Sequence, residues 1–219
     1  VNLQALYELQ EQGLPIYPQP EVLQIIQDKG RQKDFYREQG IPTAEYRHVE
    51  SQAAAYDHRD WLPAFQKSCR AGYDGKGVQQ LKGAEDLPQA FDTPSILEAP
   101  VPCEKELSIL VARTPGGELA AYPPVEMVFH PARNLVEYLF SPADIPDEQA
   151  QEATRIARDV AHKLGVVGLL AVELFLTPEG RILVNESAPR PHNSGHHTIE
   201  ANVTSQFEQH LRAILDLPL

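Results

Sequence analysis

Cysteine, positive charge and long apolar runs are all scarce in this chain of 219 residues. Its two cysteines, Cys69 and Cys103, have no zinc-ligand spacing, and we expect both to be reduced thiols. The 31 acidic residues outnumber the 19 basic ones, and the net charge of −12 argues against a nucleic-acid or anionic-membrane partner. No apolar run reaches the roughly 18–20 residues of a membrane span, and no signal peptide or internal repeat is visible. We therefore expect a soluble, cytoplasmic protein.

A rigid polar segment follows an acidic strand end near the C-terminus. It runs from Val184 to His196, and Pro189 and Pro191 forbid a helix within it. Arg190 and two imidazoles follow Glu186 within ten residues. Polar groups on a rigid backbone without periodicity seldom serve packing, so we expect a site that handles charge.

An antiparallel hairpin is predicted to carry the first part of this segment. Residues 166–176 are apolar except for one carboxylate, residues 177–180 have turn chemistry, and residues 181–186 form the return strand. We expect Leu176 to pair with Arg181 across the four-residue connection.

The two carboxylates of this hairpin, Glu173 and Glu186, would then share one face as diagonal neighbours, about 7–8 Å apart at the backbone. A pair of solvated acids is the alternative. The apolar flanks of Glu173 instead favour a buried carboxylate, which needs a metal or a cationic partner. Asn185 adds an oxygen donor, and hard oxygen ligands predict magnesium with bound phosphate.

A glycine-rich turn lies about a hundred residues upstream. Lys67 ends an apolar stretch, and the residues from Gly72 to Gly77 include three glycines and Lys76. Glycines let backbone N–H groups approach a phosphate, and lysines supply charge. The pattern is not a P-loop, because residues 77–81 resemble a return strand and not the start of a helix. Most such loops are only turns, but together with the acidic hairpin this one predicts a nucleotide site.

These two blocks resemble the ATP-grasp superfamily. Three stretches resemble more narrowly its 5-(carboxyamino)imidazole ribonucleotide synthetases, which act in de novo purine (IMP) synthesis: 72–77 (Gly-Tyr-Asp-Gly-Lys-Gly), 171–175 and 185–196. The ending 204–213 matches too, so the resemblance covers essentially the whole chain. It implies an α+β class and an ATP-grasp fold, in which two α+β subdomains clasp ATP.

The resemblance also implies a domain organisation, since members of that family are longer. We expect residues 1–20 to be the tail of a preceding N-terminal domain and residues 21–219 to be the ATP-grasp domain. Its lid subdomain would span about 44–92, and a C-terminal domain would be absent. The piece need not be active alone.

Periodicity and caps predict the main elements. Helices are expected at 2–12, 20–40, 51–58 and 147–164. Strands are expected at 46–49, 95–98, 104–113, 122–129 and 134–140. A capping box of Ser205 and Glu208 begins a final helix with four side chains expected to face inward: Phe207, Leu211, Ile214 and Leu215.

The resemblance implies a role for each candidate site residue. ATP would contact Lys29, Lys67, Gly72, Tyr73, Asp74, Gly75, Lys76, Gly77, Glu98, Val101, Glu106, Asn185 and Glu186. Magnesium would be held by Glu173 and Glu186. Bicarbonate and aminoimidazole ribonucleotide would contact Tyr73, Arg190, His192, Asn193 and Ser194, and the catalytic candidates among them are Arg190, His192 and Asn193.

Some of these assignments have alternatives. Lys29 could be a solvated helix lysine. For His192, orientation and hydrogen-bond donation are favoured over proton transfer. His130 has an ambiguous position relative to the family pattern and is not among the candidates.

The implied reaction is the ATP- and bicarbonate-dependent carboxylation of 5-aminoimidazole ribonucleotide through carboxyphosphate. Phosphoryl transfer needs alignment and charge neutralisation, and the labile intermediate needs a closed lid. A homodimer is expected for the full-length protein. Two alternatives stay open: an ATP-grasp ligase with another acceptor, and a non-catalytic nucleotide-binding module.

Overall fold

Two antiparallel sheets and seven α-helices organise the chain in a computed structural model, which describes residues 1–70, 77–129 and 136–219. The helices are α1 (Leu3–Glu11), α2 (Pro20–Ile26), α3 (Lys29–Glu38), α4 (Gln52–Ala55), α5 (Asp147–Leu164), α6 (Thr198–Ala201) and α7 (Gln206–Ile214). The strands are β1 (Tyr46–Val49), β2 (Ala64–Ser68), β3 (Val78–Leu81), β4 (Ser95–Glu98), β5 (Lys105–Arg113), β6 (Leu119–Ala121), β7 (Val125–Phe129), β8 (Val136–Phe140), β9 (Gly168–Leu176) and β10 (Ile182–Ala188). The predicted α+β class is confirmed. Within these ranges, no helix has the length and apolar character that crossing a membrane requires.

The strands divide into a small sheet and a large sheet. The small sheet has the order β1-β4-β2-β3, and the large sheet has the order β10-β9-β5-β7-β8, with β6 also paired to β5. Helix α5 covers one face of the large sheet. Its buried side chains recur at helical spacing, from Ala153 to Leu164, and Gly165 ends the helix in the left-handed conformation at φ +65°.

The other face of the large sheet changes from apolar to polar along its strands. Leu110 of β5 packs in a small cluster that includes Ala213 of α7. Because side chains alternate across a strand, Ser108 and Glu106 continue this same face beyond the cluster. Glu173 of β9 lies directly opposite Ser108. The apolar neighbours of Glu173 in the sequence point to the opposite face of the sheet. The single carboxylate in this apolar stretch therefore lies at the polar end of the face that carries Ser108.

The register predicted for the β9–β10 hairpin is wrong. Ile182, not Arg181, pairs with Leu176, which is a slip of one residue and by itself would place the two glutamates on opposite faces. A β-bulge at Asn185 adds a second residue of shift and brings Glu186 directly opposite Glu173. The carboxylates therefore oppose each other and are not diagonal neighbours.

The single helix predicted for residues 20–40 is two helices. Asp28 has extended backbone dihedrals, and its side chain accepts hydrogen bonds from the N–H groups of Gly30 and Arg31 at 3.1 and 3.2 Å. Asp28 is thus the N-cap of α3, and Lys29 is its first residue. The predicted strand 122–129 begins only at Val125, because Pro123 and Pro124 lie between β6 and β7.

The final helix presents a different face to the protein than predicted. Ser205 caps α7, as expected, by accepting from the N–H of Glu208 at 3.2 Å. Phe207, Leu211 and Leu215 are exposed, whereas the buried side chains are Gln206, Gln209 and Ala213. Apolar periodicity therefore assigned the wrong face, because the side-chain hydrogen bonds of the buried Gln206 to His192 hold the start of α7 in place.

Helix α7 is tied to β9 by His210. The backbone N–H of Leu169 donates to His210 Nδ1 at 3.0 Å. Gly168, at φ +105°, lies against the ring, where a β-carbon would come within 2.8 Å of it. Burial lowers the pKa of His210, so the folded protein favours its neutral form.

We expect this contact to weaken in acid. Below the usual histidine pKa of about 6.5, His210 is protonated in the unfolded chain but stays neutral in the folded protein. The free energy of unfolding therefore falls by up to about 1.4 kcal/mol for each unit by which the pH is lowered. Above that pH the contribution is intact. His210→Asn keeps an acceptor but does not titrate. Urea unfolding at pH 7.5 and 5.5 should show a smaller acid loss for the variant, and an equal loss in both proteins would contradict this assignment.

Candidate active site

The two glutamates of the hairpin are neighbouring carboxylates, which repel each other when both are ionised. Glu173 and Glu186 face each other across β9 and β10. Burial raises the pKa of Glu173 to about 8, and the charges of Glu186 and Glu106 add to the shift. Glu173 therefore holds a proton near neutral pH unless a cation is added to the pair.

Glu186 has a cation of its own. It makes an ion pair with Lys29, the first residue of α3. Burial opposes its ionisation, but the charges of Lys29 and Lys67 and the hydrogen bond from Lys29 together lower the pKa of Glu186. The pair thus divides into an ionised Glu186 and a protonated Glu173.

A second cluster lies at the end of β4 in the small sheet. The buried carboxylate of Glu98 lies 2.6 Å from Lys33 on α3 and 2.6 Å from Lys67 on β2. Burial alone would raise the pKa of Glu98, but Lys67 and Lys33 together lower it. Burial also lowers the pKa of Lys33, whose ammonium is bonded to the hydroxyl of Thr43 at 2.6 Å. A single buried anion therefore holds two lysines from different parts of the chain.

The bulge residue connects the two sheets. The Nζ of Lys67 donates to Oδ1 of Asn185 at 3.0 Å. Lys67 also acts on three other carboxylates: burial raises the pKa of Glu106 and of Glu173, and the charge of Lys67 only partly opposes this, whereas at Glu186 it helps to lower the pKa. The bulge thus places the side-chain amide of Asn185 against Lys67, whose charge acts on all of these carboxylates.

The segment after β10 lies beside Glu173. His192 Nε2 is 3.4 Å from Glu173 Oε1, and the buried side chain of Gln206 bonds to both the N–H and the carbonyl of His192, at 2.8 and 2.9 Å. Burial lowers the pKa of His192, and the charge of Arg190 lowers it further. Arg190 is exposed and donates to the carbonyl of Pro191 at 2.9 Å. The arrangement offers a neutral imidazole and a solvent-facing guanidinium next to the carboxylate pair.

Comparison with known proteins identifies the fold around this site. Residues 34–207 match the family model described as the ATP-grasp domain. The chain belongs to the ATP-grasp family. The predicted ATP-grasp fold is thereby confirmed.

The curated proteins and the solved structures that this ATP-grasp chain resembles share a more specific enzyme name. It is 39% identical to the N5-carboxyaminoimidazole ribonucleotide synthase of Synechococcus elongatus, over 100% of this chain and 56% of that protein. The crystal structure of N5-carboxyaminoimidazole ribonucleotide synthetase from Thermotoga maritima is 44% identical, with a TM-score of 0.88 over 100% of this chain and 57% of that one. The Aspergillus clavatus synthase, solved with ADP and 5-aminoimidazole ribonucleotide, is 33% identical, with a TM-score of 0.91 over 100% and 59%. The chain resembles these synthetases over its whole length, as its motifs predicted, and it spans about half the length of the curated relatives it matches.

Not every predicted contact of the ATP-grasp site is described. Gly72, Tyr73, Asp74, Gly75 and Lys76 lie outside the described residues, as does His130. Gly77 lies at φ +77°, and its carbonyl accepts from the N–H of Ser68 at 2.8 Å, which closes the β2–β3 hairpin. Val101 is partly exposed between β4 and β5, and Asn193 begins the short 3₁₀ turn Asn193–Gly195. The roles assigned to these residues stay predictions.

The structure brings several of the other candidates together. Lys29, Lys67, Glu98, Asn185 and Glu186 meet in one cleft of the ATP-grasp domain, with Glu173 and His192 beside it. Ser194, predicted to contact substrate, is buried, and its hydroxyl is bonded to His192 and Ser108.

Sequence reasoning missed Lys33, Gln206 and Ser108 as parts of the site. Lys33 had a usable signal, since it follows Lys29 by four residues and so shares its helix face. Ser108 alternates with Glu106 on one strand face. Gln206 offered no signal, because its partner is the backbone of a residue fourteen positions away.

We expect removal of Lys33 to destabilise the ATP-grasp domain strongly. Lys33→Met leaves the buried Glu98 with one lysine, and breaking a buried ion pair from one side costs about 3–5 kcal/mol. The matched control is Arg155→Met, which breaks an exposed ion pair with Glu152 and should cost under about 1 kcal/mol. Chemical denaturation measures both values. Equal, small losses would show that Glu98 does not depend on Lys33.

Proposed function

We propose that this chain is the ATP-grasp part of an enzyme that carboxylates 5-aminoimidazole ribonucleotide with ATP and bicarbonate. The observation that carries the proposal is the cleft in which two opposed glutamates meet lysines from both the small sheet and α3. Such a site suits a polyphosphate with its cation, and the names of the related synthases indicate the acceptor.

ATP would lie in the cleft between the two sheets. The ammonium groups of Lys67 and Lys29 would bind its phosphates there. The 72–77 loop begins close to Lys67 in the chain. Glu98, Val101 and Glu106 would border the adenine and ribose. Entry of the triphosphate would give Lys67 a partner other than Asn185 and Glu98.

The carboxylate pair fits a magnesium ion. Among the described residues, no three Asp, Glu, His or Cys side chains gather as a metal cage. Magnesium usually takes only one or two protein carboxylates together with phosphate oxygens. Glu173 and Glu186 would hold it, since burial and the charges of Glu186 and Glu106 raise the pKa of Glu173, and a bound cation would oppose these effects. A bound ion would neutralise charge on the phosphates.

The second half of the site would serve bicarbonate and the ribonucleotide. An oxygen of bicarbonate attacks the γ-phosphorus, ADP leaves, and carboxyphosphate forms. The amine of aminoimidazole ribonucleotide then bonds to the carboxyl carbon as phosphate leaves, and the departing phosphate takes the proton that the amine loses. Arg190 would neutralise anionic groups, and His192, Asn193 and Ser194 would orient bicarbonate and the acceptor.

The remaining proposals concern the whole protein. We propose that it acts in the cytoplasm as a homodimer, that residues 1–20 belong to a preceding domain, and that residues of about 44–92 form the lid over ATP. The small sheet, which includes residues 46–98, is the part of the fold that suits a lid.

The deciding experiment is ADP release by the full-length protein with magnesium, ATP and bicarbonate, with and without aminoimidazole ribonucleotide. We expect strong stimulation by the ribonucleotide. ATP turnover that ignores it would point to another acceptor, and no turnover at all would favour a non-catalytic nucleotide-binding module.

We also expect Glu186→Gln to lower ADP release by several orders of magnitude while the fold is retained, because it removes one metal-binding charge. The control is Glu152→Gln, which removes an exposed carboxylate from α5 and should leave turnover unchanged. Circular dichroism checks the fold of both variants. Normal turnover by Glu186→Gln would remove the metal assignment.

A further inference from the structure

A buried chain of hydroxyl groups ends on the ring of His192. The Oγ atoms of Ser108 and Ser194 lie 2.7 Å apart, and Ser194 Oγ lies 2.9 Å from His192 Nδ1. Ser108 and Ser194 are almost fully buried, at 0% and 1% exposure. A buried hydroxyl without a partner is costly, so each of these protons must have a defined acceptor.

The backbone decides the direction of this chain. The N–H of Ser194 points at His192 Nδ1 at 3.3 Å, so Nδ1 accepts and carries no proton. Ser194 Oγ–H then donates to Nδ1, and Ser108 Oγ–H donates to Ser194 Oγ. A neutral imidazole with an unprotonated Nδ1 carries its proton on Nε2, and that atom faces Glu173 Oε1 at 3.4 Å.

We propose that Ser108 is a positioning residue that acts through Ser194 to hold His192 as an N–H donor toward the Glu173 side of the site. This inference rests on the proposed function for its kinetic consequence. With the lone pair of Nδ1 occupied and Nε2 protonated, the imidazole has no free base. His192 therefore orients and stabilises an anionic group, and it does not take the proton from the acceptor amine.

The location of Ser108 explains why its effect is specific. It lies on β5 directly opposite Glu173, at the boundary where this sheet face changes from apolar to polar. Gln206 independently holds the backbone of His192, so loss of the Ser108 hydroxyl should release the ring and not the segment. A hydrogen-bonded chain of one direction also strengthens each of its bonds.

The first test is nitrogen NMR of the unsubstituted protein with labelled histidines, with the His192 signals assigned by their loss in His192→Gln. We expect an unprotonated Nδ1 and a protonated Nε2. A proton on Nδ1 would overturn the proposal. This measurement needs no turnover and no folded Ser108 variant, so it decides the inference even if the proposed carboxylation fails.

The second test compares two serine variants of the full-length protein. Ser108→Ala should lower kcat for ribonucleotide-stimulated ADP release about tenfold, with the KM for ATP within about twofold. The matched control is Ser187→Ala, which removes another buried hydroxyl pair at 2.7 Å, with Tyr36. We expect its kcat to be unchanged. Equal losses in the two variants would indicate general destabilisation and overturn the positioning role.

Discussion

The opposition of two partly buried carboxylates across one hairpin is the constraint on which the rest of the site depends. Neighbouring anions away from water repel each other strongly, so the fold must supply positive charge, a proton or both. Lys29 from α3 neutralises Glu186, and Glu173 retains a proton, with its pKa raised to about 8 by burial and by its acidic neighbours. The positions of α3, the small sheet and the segment after β10 all serve this charge balance.

The elements with strong local signals were predictable from the sequence. The strand at 46–49 and the long helix at 147–164 were predicted with the bounds observed. For the helix, apolar periodicity and the glycine that follows it agree. The carboxylate pair was also foreseeable, since one acid in an apolar strand and one at the end of the return strand have few structural uses.

The errors arose where tertiary contacts override local patterns. The bulge at Asn185 has no signature in composition, and its side chain contacts Lys67 of the other sheet, a partner that local sequence does not reveal. The inward face of α7 carries Gln206, whose partners lie on His192 and Thr198. The break before α3 follows from the side chain of Asp28, which caps a helix that apolar spacing alone would extend.

The pairing of Glu98 with two lysines has a consequence for any relative movement of the sheets. Glu98 and Lys67 both belong to the small sheet, whereas Lys33 belongs to α3 and Asn185 to the large sheet. If the sheets part, Glu98 would travel with Lys67 as its counter-ion, and within this cluster only the contacts to Lys33 and Asn185 would break. An opened cleft would therefore keep Glu98 paired with Lys67, and an incoming polyanion would meet Lys33 and Lys67 after each of them has lost one partner.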